Sequence, residues 1–193
     1  VDSNLDWGQD LPALSRELRE RGIENVRLAY FGAALPSRHG ISGAGDAKET
    51  GEGWYAVSRT FLAGVWPPGD PYGWFRALRP VKLVGGSIAL FDVREADVRA
   101  AWRAGRGAEV GMALGLIQRA RDPARAAEVF AEVLAKHPGH YGALYQRAAA
   151  LEAAGRPADA LAAWRTFLPA AEAARDSDQA AHARARIAAL GRR

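Results

Sequence analysis

From residue 107 onward, apolar side chains recur with the period of a helix. Val110, Leu114 and Ile117 fall on one face, Asp122-Pro123 breaks the run, and Ala126, Phe130, Val133 and Leu134 mark a second helix that His137-Pro138-Gly139 stops. The pattern then returns 34 residues later. Ile117, Ala126, Phe130 and Leu134 are matched by Leu151, Ala160, Trp164 and Leu168, and Val110 and Leu114 by Leu144 and Ala148. Pro123 and Pro157 sit where a first helical turn has no use for an N–H, Gly155 suits a left-handed helix end, and Pro138 cannot continue a helix. Small Ala126 and Ala160 predict close helix approach, with Phe130 and Trp164 filling the space between the helices. A last helix is predicted over about 177–190, with Asp176 or Ser177 as its cap and Gly191 as its end.

Before residue 94 the pattern is different. Asp10 is expected to cap a helix carrying Leu11, Leu14 and Leu18 on one face and ended by Gly22. Strands are predicted at Val26–Gly32, Trp54–Ser58 and Ser87–Val93 from their β-branched and aromatic content. Between them lie a polar stretch (42–53), a Pro-rich loop (66–71) and a short amphipathic turn (72–78). Strand, helix and strand in that order predict a parallel crossover, with the first strand beginning before Val1. Of the 21 glycines 13, and of the six tryptophans four, precede residue 94. The expected architecture is therefore an α+β chain in two parts. Residues 1–93 form a small α/β domain with a three- or four-stranded sheet and a crossover helix, 94–106 a connecting helix or linker, and 107–193 an all-α array of helical hairpins with a C-terminal capping helix.

Residues 107–172 resemble two tetratricopeptide repeats in their 34-residue period, in the small residue followed four later by an aromatic, and in the Pro that closes the first unit. Pro169 comes a few residues early for that pattern. The resemblance implies a concave surface formed by the first helix of each pair, which holds a peptide or protein partner. On this chain that surface would comprise Gly111, Gly115, Gln118 and Arg119, then Tyr145, Ala149 and Glu152. The Lys/Arg and Asn set with which some members of that family clamp a C-terminal carboxylate is missing. The other reading of these helices is that they pack onto the first domain or a neighbouring subunit.

Composition removes several classes of function. The chain is 49% hydrophobic and 25% charged, which is a globular rather than a disordered balance. It has no Cys, so disulfide frameworks, zinc ribbons and thiol catalysis are excluded. No apolar run is long enough to span a bilayer. The chain starts at Val1 with no leader pattern and is expected to be part of a longer protein. The net charge of +4 divides unevenly: residues 1–93 carry 10 basic and 11 acidic side chains, and residues 94–193 carry 16 and 11. The Arg of the second half are interspersed with Glu around the helices rather than forming a phosphate-tracking stripe, so no nucleic-acid partner is expected.

The candidate chemistry lies at the start. Asp2, Asn4, Asp6, Gln9 and Asp10 crowd beside Trp7 where a strand would hand over to a helix, which is where open α/β sheets gather ligands. Carboxylates and amides suit sugar hydroxyls and aromatic faces suit sugar rings, so this set, with Tyr30 and Arg59, is the candidate glycan site. The alternative is that these side chains cap turns and backbone N–H groups. The Asp2, Asn4, Asp6 spacing mimics a calcium loop, but the glycine is one place late at Gly8 and Ala13 stands where a bidentate acid is required. His39 is the sole His of this half, no nucleophile elbow accompanies Ser37 or Ser42, and Gly43-Ala-Gly45 lacks the ending of a phosphate loop. His137, His140 and His182 are expected at helix ends or faces. No metal, cofactor or catalytic residue is assigned.

The stretches Asp-Ser-Asn-Leu-Asp-Trp-Gly-Gln-Asp-Leu (2–11), Ala-Tyr-Phe-Gly (29–32), Tyr-Ala-Val-Ser (55–58) and Trp74…Arg79-Pro80-Val81…Gly86-Ser-Ile88 resemble a known group. They are similar to the soluble segment that follows the last transmembrane helices in bacterial membrane glycosyltransferases of the protein-mannosyltransferase-like superfamily. The resemblance implies a multi-span parent that uses a polyprenyl-phosphate sugar donor, with this segment on the extracytoplasmic (periplasmic) face. The catalytic acids of that superfamily lie in its membrane part and transfer to no residue of this chain. The expected function is a non-catalytic module, with a glycan or lipid-linked acceptor at the α/β domain, a protein or peptide on the helices, and attachment to the membrane through the upstream part. The alternatives are a free-standing carbohydrate-active hydrolase or transferase using Asp2, Asp6 and Asp10, and a soluble tetratricopeptide adaptor.

Overall fold

A computed structural model describes residues 7–41, 45–64 and 70–192. The chain divides into two compact units, Val1–Arg106 and Gly107–Arg193. The first is mixed α and β; the second is entirely helical among the described residues.

In the first unit, α1 (Leu11–Glu20) is followed by β1 (Arg27–Ala29), β2 (Gly45–Asp46), β3 (Gly53–Ser58), a single turn α2 (Arg59–Leu62), β4 (Lys82–Val84), β5 (Ile88–Val93) and α3 (Glu95–Arg103). The sheet order is β2-β1-β3-β5-β4. β1 is parallel to β2 and β3, with Leu28 opposite Asp46 and Ala56, whereas β5 runs antiparallel to β3 and β4, from Ile88 opposite Ser58 to Val93 opposite Gly53. Side chains alternate across the strands and divide the core. Ala56, Ile88 and Leu90 meet the Leu11, Leu14 and Leu18 face of α1. On the other face, Tyr55 and Phe91 meet the rings of Trp74 and Phe75 in the 3-10 turn Gly73–Ala77. The Tyr55 hydroxyl donates to the Glu49 carbonyl (2.8 Å) and accepts from Gly51 N–H (2.8 Å), and burial raises its pKa.

The sheet therefore has five strands among the described residues, not three or four. β2 and β4 were too short to read, at two and three residues, and β2 lies inside the stretch whose polarity predicted a loop. The first strand keeps only three of its predicted residues. The strand expected ahead of Val1 lies outside the described residues. The segment expected to link the two parts contributes α3, whose Val98 and Trp102 are buried and which belongs to the first unit.

The second unit runs α4 (Ala108–Arg119), α5 (Pro123–Lys136), α6 (Tyr141–Ala153), α7 (Pro157–Ala173) and α8 (Ser177–Leu190), each packed on the next. The caps follow the chain chemistry. Asp122 accepts from Arg125 N–H (2.9 Å), Asp176 from Gln179 N–H (3.1 Å), and His140 Nδ1 from Ala143 N–H (3.1 Å). Ala126, Phe130, Ala160 and Trp164 are all buried. Gly155 closes α6 with φ 68°, whereas Gly191 ends α8 at φ −74° without a left-handed turn. The helix continues through Pro169 to Ala173, with Phe167 before it and Ala171 after it held in the core on one face. No described helix is long and apolar enough to cross a membrane.

Candidate functional site

Most of the described candidates of the first unit gather at one end of the sheet, where β1 and β3 finish and β5 begins. Gly32, at φ 153°, brings its backbone so close to Trp7 that a Cβ there would lie 2.4 Å from the Trp7 carbonyl. Trp7 is 56% exposed and sets its ring edge against Phe31 at 5.2 Å, the first of a row that continues to Phe61 (6.2 Å) and Tyr72 (5.2 Å, stacked). Gln9 Oε1 accepts from the Trp7 backbone N–H at 2.5 Å. The Tyr30 hydroxyl donates to the Ala34 carbonyl.

Asp10 stands at the N-cap position of α1, but its carboxylate makes no cap bond. It reaches across to the β4–β5 turn, where Oδ2 accepts from Ser87 Oγ (2.6 Å) and Ser87 N–H (3.1 Å). Arg59 meets the same turn, donating from Nη1 to the Gly86 carbonyl (3.3 Å) and from its backbone N–H to the Ser87 carbonyl (2.8 Å). The expected cap is thus a tie between α1 and the sheet, because the turn offers two donors at once and Gly85 leaves room for the carboxylate. Asp2, Asn4 and Asp6 lie outside the described residues. Trp7, Gln9, Asp10, Tyr30 and Arg59 come together, but the polar groups of the last four bond within the chain.

In the second unit, Tyr145, Ala149, Glu152, Trp164, His182 and Arg186 line a shallow depression of about 450 Å³ where α6, α7 and α8 meet. Tyr145 packs its ring against Trp164 (5.4 Å) and His182 (6.0 Å), and Trp164 meets His182 at 5.3 Å. Trp164 is the floor, only 1% exposed, and its Nε1 donates to Glu152 Oε2 (3.1 Å). Arg186 donates to both oxygens of that carboxylate, through Nε (3.1 Å) and Nη2. Such a bidentate pair fixes both side chains in one geometry. Nearby, the Tyr141 hydroxyl donates to Asp176 Oδ2 (2.9 Å); burial first, and then that carboxylate, raises its pKa.

Of the seven positions expected on the partner surface, Gln118, Arg119, Tyr145 and Glu152 are the candidate contacts. Tyr145 and Glu152 line the depression. Arg119 turns instead to Gln146 on α6. Gln118 is 6% exposed, so its side chain faces the helix packing rather than a partner. Gly111 and Gly115 are likewise buried, and a Cβ on Gly115 would lie 2.4 Å from Phe130, so this glycine serves helix approach rather than thinning a groove. Trp164, His182 and Arg186 were missed as lining residues. A signal existed for one of them, since Arg186 lies one 34-residue period beyond Glu152.

Among the described residues no three His, Asp or Glu side chains come together as a metal set. No family model matches the chain, and no curated protein and no solved structure resembles it significantly.

Proposed function

We propose that the chain is a non-catalytic module whose helical unit is a short tetratricopeptide-like scaffold that holds an extended peptide segment of a partner protein. One observation carries this reading: two helix pairs repeat in register at a 34-residue offset with equivalent buried positions, Ala126 and Phe130 in one and Ala160 and Trp164 in the next. The depression bounded by Tyr145, Glu152, His182 and Arg186 is the polar and aromatic surface that such an array offers a peptide. Selection of displayed peptides on the full chain tests it. Selected peptides are expected to lose at least about tenfold in affinity on Tyr145→Ala and His182→Ala, the loss expected of central aromatic contacts. Peptides that bind both variants as tightly as the unaltered chain would rule the surface out.

The first unit is proposed, from its resemblance, as the extracytoplasmic soluble segment of a membrane glycosyltransferase. Engagement of Asp10 by Ser87 speaks against acid–base duty for that carboxylate and so against the free-standing hydrolase or transferase. A glycan role for this end of the sheet rests on Trp7, half-exposed at the head of an aromatic row. The reading frame upstream of Val1 decides the parent: several apolar spans of about 20 residues are expected, and a start codon immediately upstream would contradict the assignment.

A further inference from the structure

The depression of the helical unit runs between two stripes of side chains. Tyr145, Ala149 and Ala153 follow one another at four-residue steps on one face of α6, and His182 and Arg186 do so on α8. Trp164 of α7 closes the bottom but is only 1% exposed, so a ligand meets the stripes and not the indole. His182 and Ala153 are exposed, and Tyr145 and Ala149 are half-buried. At one end the rings of Tyr145 and His182 stand 6.0 Å apart; at the other Glu152 pairs with Arg186. Ala149, between the two ends, contributes only a methyl group, which leaves the space open.

Glu152 accepts from Trp164 Nε1 (3.1 Å) and twice from Arg186. Among the described lining residues one carboxylate and one guanidinium thus compensate each other, and a charged side chain of a partner meets no uncompensated opposite charge. What the lining offers instead is flat surface. Two bonds to one carboxylate hold the Arg186 guanidinium in a fixed plane, and with 36% of the side chain exposed it is a platform on which a ring stacks. Tyr145 and His182 add aromatic edges, which favour a second ring at an angle. A shallow depression suits a flat plate better than a branched aliphatic chain.

On the basis of the peptide-binding role proposed for this unit, we infer that the depression takes one aromatic side chain, Phe, Tyr or Trp, as the anchor of the bound segment. The ring lies over Ala149, places its face on the Arg186 guanidinium and meets the Tyr145 ring edge to face. A Leu in the same place buries apolar surface but loses both ring contacts.

Selection of a randomised displayed-peptide library on the full chain, followed by calorimetric titration of the best-enriched peptide, tests this. The enriched sequences are expected to share one aromatic residue. Its replacement by Leu is expected to weaken binding about three- to tenfold, the scale of ring stacking beyond area burial, and its replacement by Ala more than roughly tenfold. Arg186→Lys keeps the charge and loses the plate, so in that variant the aromatic-to-Leu step is expected to shrink to about twofold or less. Ala149→Leu fills the space with a good helix former and is expected to weaken the aromatic peptide at least roughly tenfold while far-UV dichroism stays unchanged. Three results would overturn the anchor and leave the peptide surface standing: enriched peptides that lose affinity on Tyr145→Ala but share no aromatic residue, an aromatic-to-Leu step as large in Arg186→Lys as in the unaltered chain, or unchanged binding in Ala149→Leu. Enrichment of no peptide over background would remove the peptide surface and the anchor together.

Discussion

At the scale of single residues, two positions show how local chemistry holds the first unit together. Gly32 touches the Trp7 backbone, and any Cβ there collides with it. Gly32→Ala is therefore expected to cost about 1–3 kcal/mol, the range for forcing a side chain onto strained, crowded backbone. Urea unfolding measures this, and a change under about 0.5 kcal/mol would mean that Trp7 is not held against Gly32. Glu17 on α1 is 7% exposed in its side chain and reaches Lys82 on β4 as well as Arg21. The Lys82 bond, then the Arg21 bond, hold its carboxyl below the ordinary value of 4.5. A folded-state pKa below the unfolded one gives stability that is complete above the unfolded value and is lost as pH falls through the folded one. The stability difference between the unaltered chain and Glu17→Gln is thus expected to be flat from neutral pH to about pH 5 and to shrink below 4.5. A difference that stays constant down to pH 3 would remove this ion pair from the account.

Neither contact was visible in the chain, because each joins residues far apart in sequence: Lys82 lies 65 positions beyond Glu17. The same holds for Asp10. Its type and position predicted a helix cap, but a cap is a local alternative that loses when a turn 77 residues away presents two donors to the same oxygen. Trp7, by contrast, was legible as a candidate because an aromatic amid polar residues has nowhere local to bury itself.

At the scale of elements, periodicity succeeded where it was long. The five helices of the second unit, with the turns at Asp122-Pro123 and Gly155, follow from apolar spacing and from breakers with known mechanics. β3 and β5, six residues each, were also readable, whereas two- and three-residue strands carry too little alternation to register. Gly115 shows what element packing adds. It was expected on the concave partner surface, and instead lets α4 approach Phe130 of α5. Gly115→Ala is expected to destabilise the unit by about 1–3 kcal/mol through overpacking, more than the gain of about 1 kcal/mol in helix propensity. Combining it with Phe130→Leu, which shortens the opposing side chain, is expected to recover part of that loss in a double-mutant cycle. Strict additivity of the two substitutions would show that they do not touch.

At the scale of the whole molecule, each of the two units buries apolar residues of its own. The first unit presents an aromatic row, Trp7, Phe31, Phe61 and Tyr72, at one end of its sheet. The second presents Tyr145 and His182 above a Trp164 whose indole, with Glu152 and Arg186, is locked in a bonded set. The repeat period made that second surface predictable in outline, but its lining depends on α8, whose side chains meet α6 only after the helices stack. This face of the helical unit is the one proposed to receive a peptide. The most direct test is a titration of the isotope-labelled full chain with a selected peptide, followed by amide chemical shifts. Perturbations are predicted at Tyr145, Ala149 and His182, and not along the exposed Glu128 and Glu132 side of α5. Shifts confined to α5, or to residues 7–106, would contradict the account.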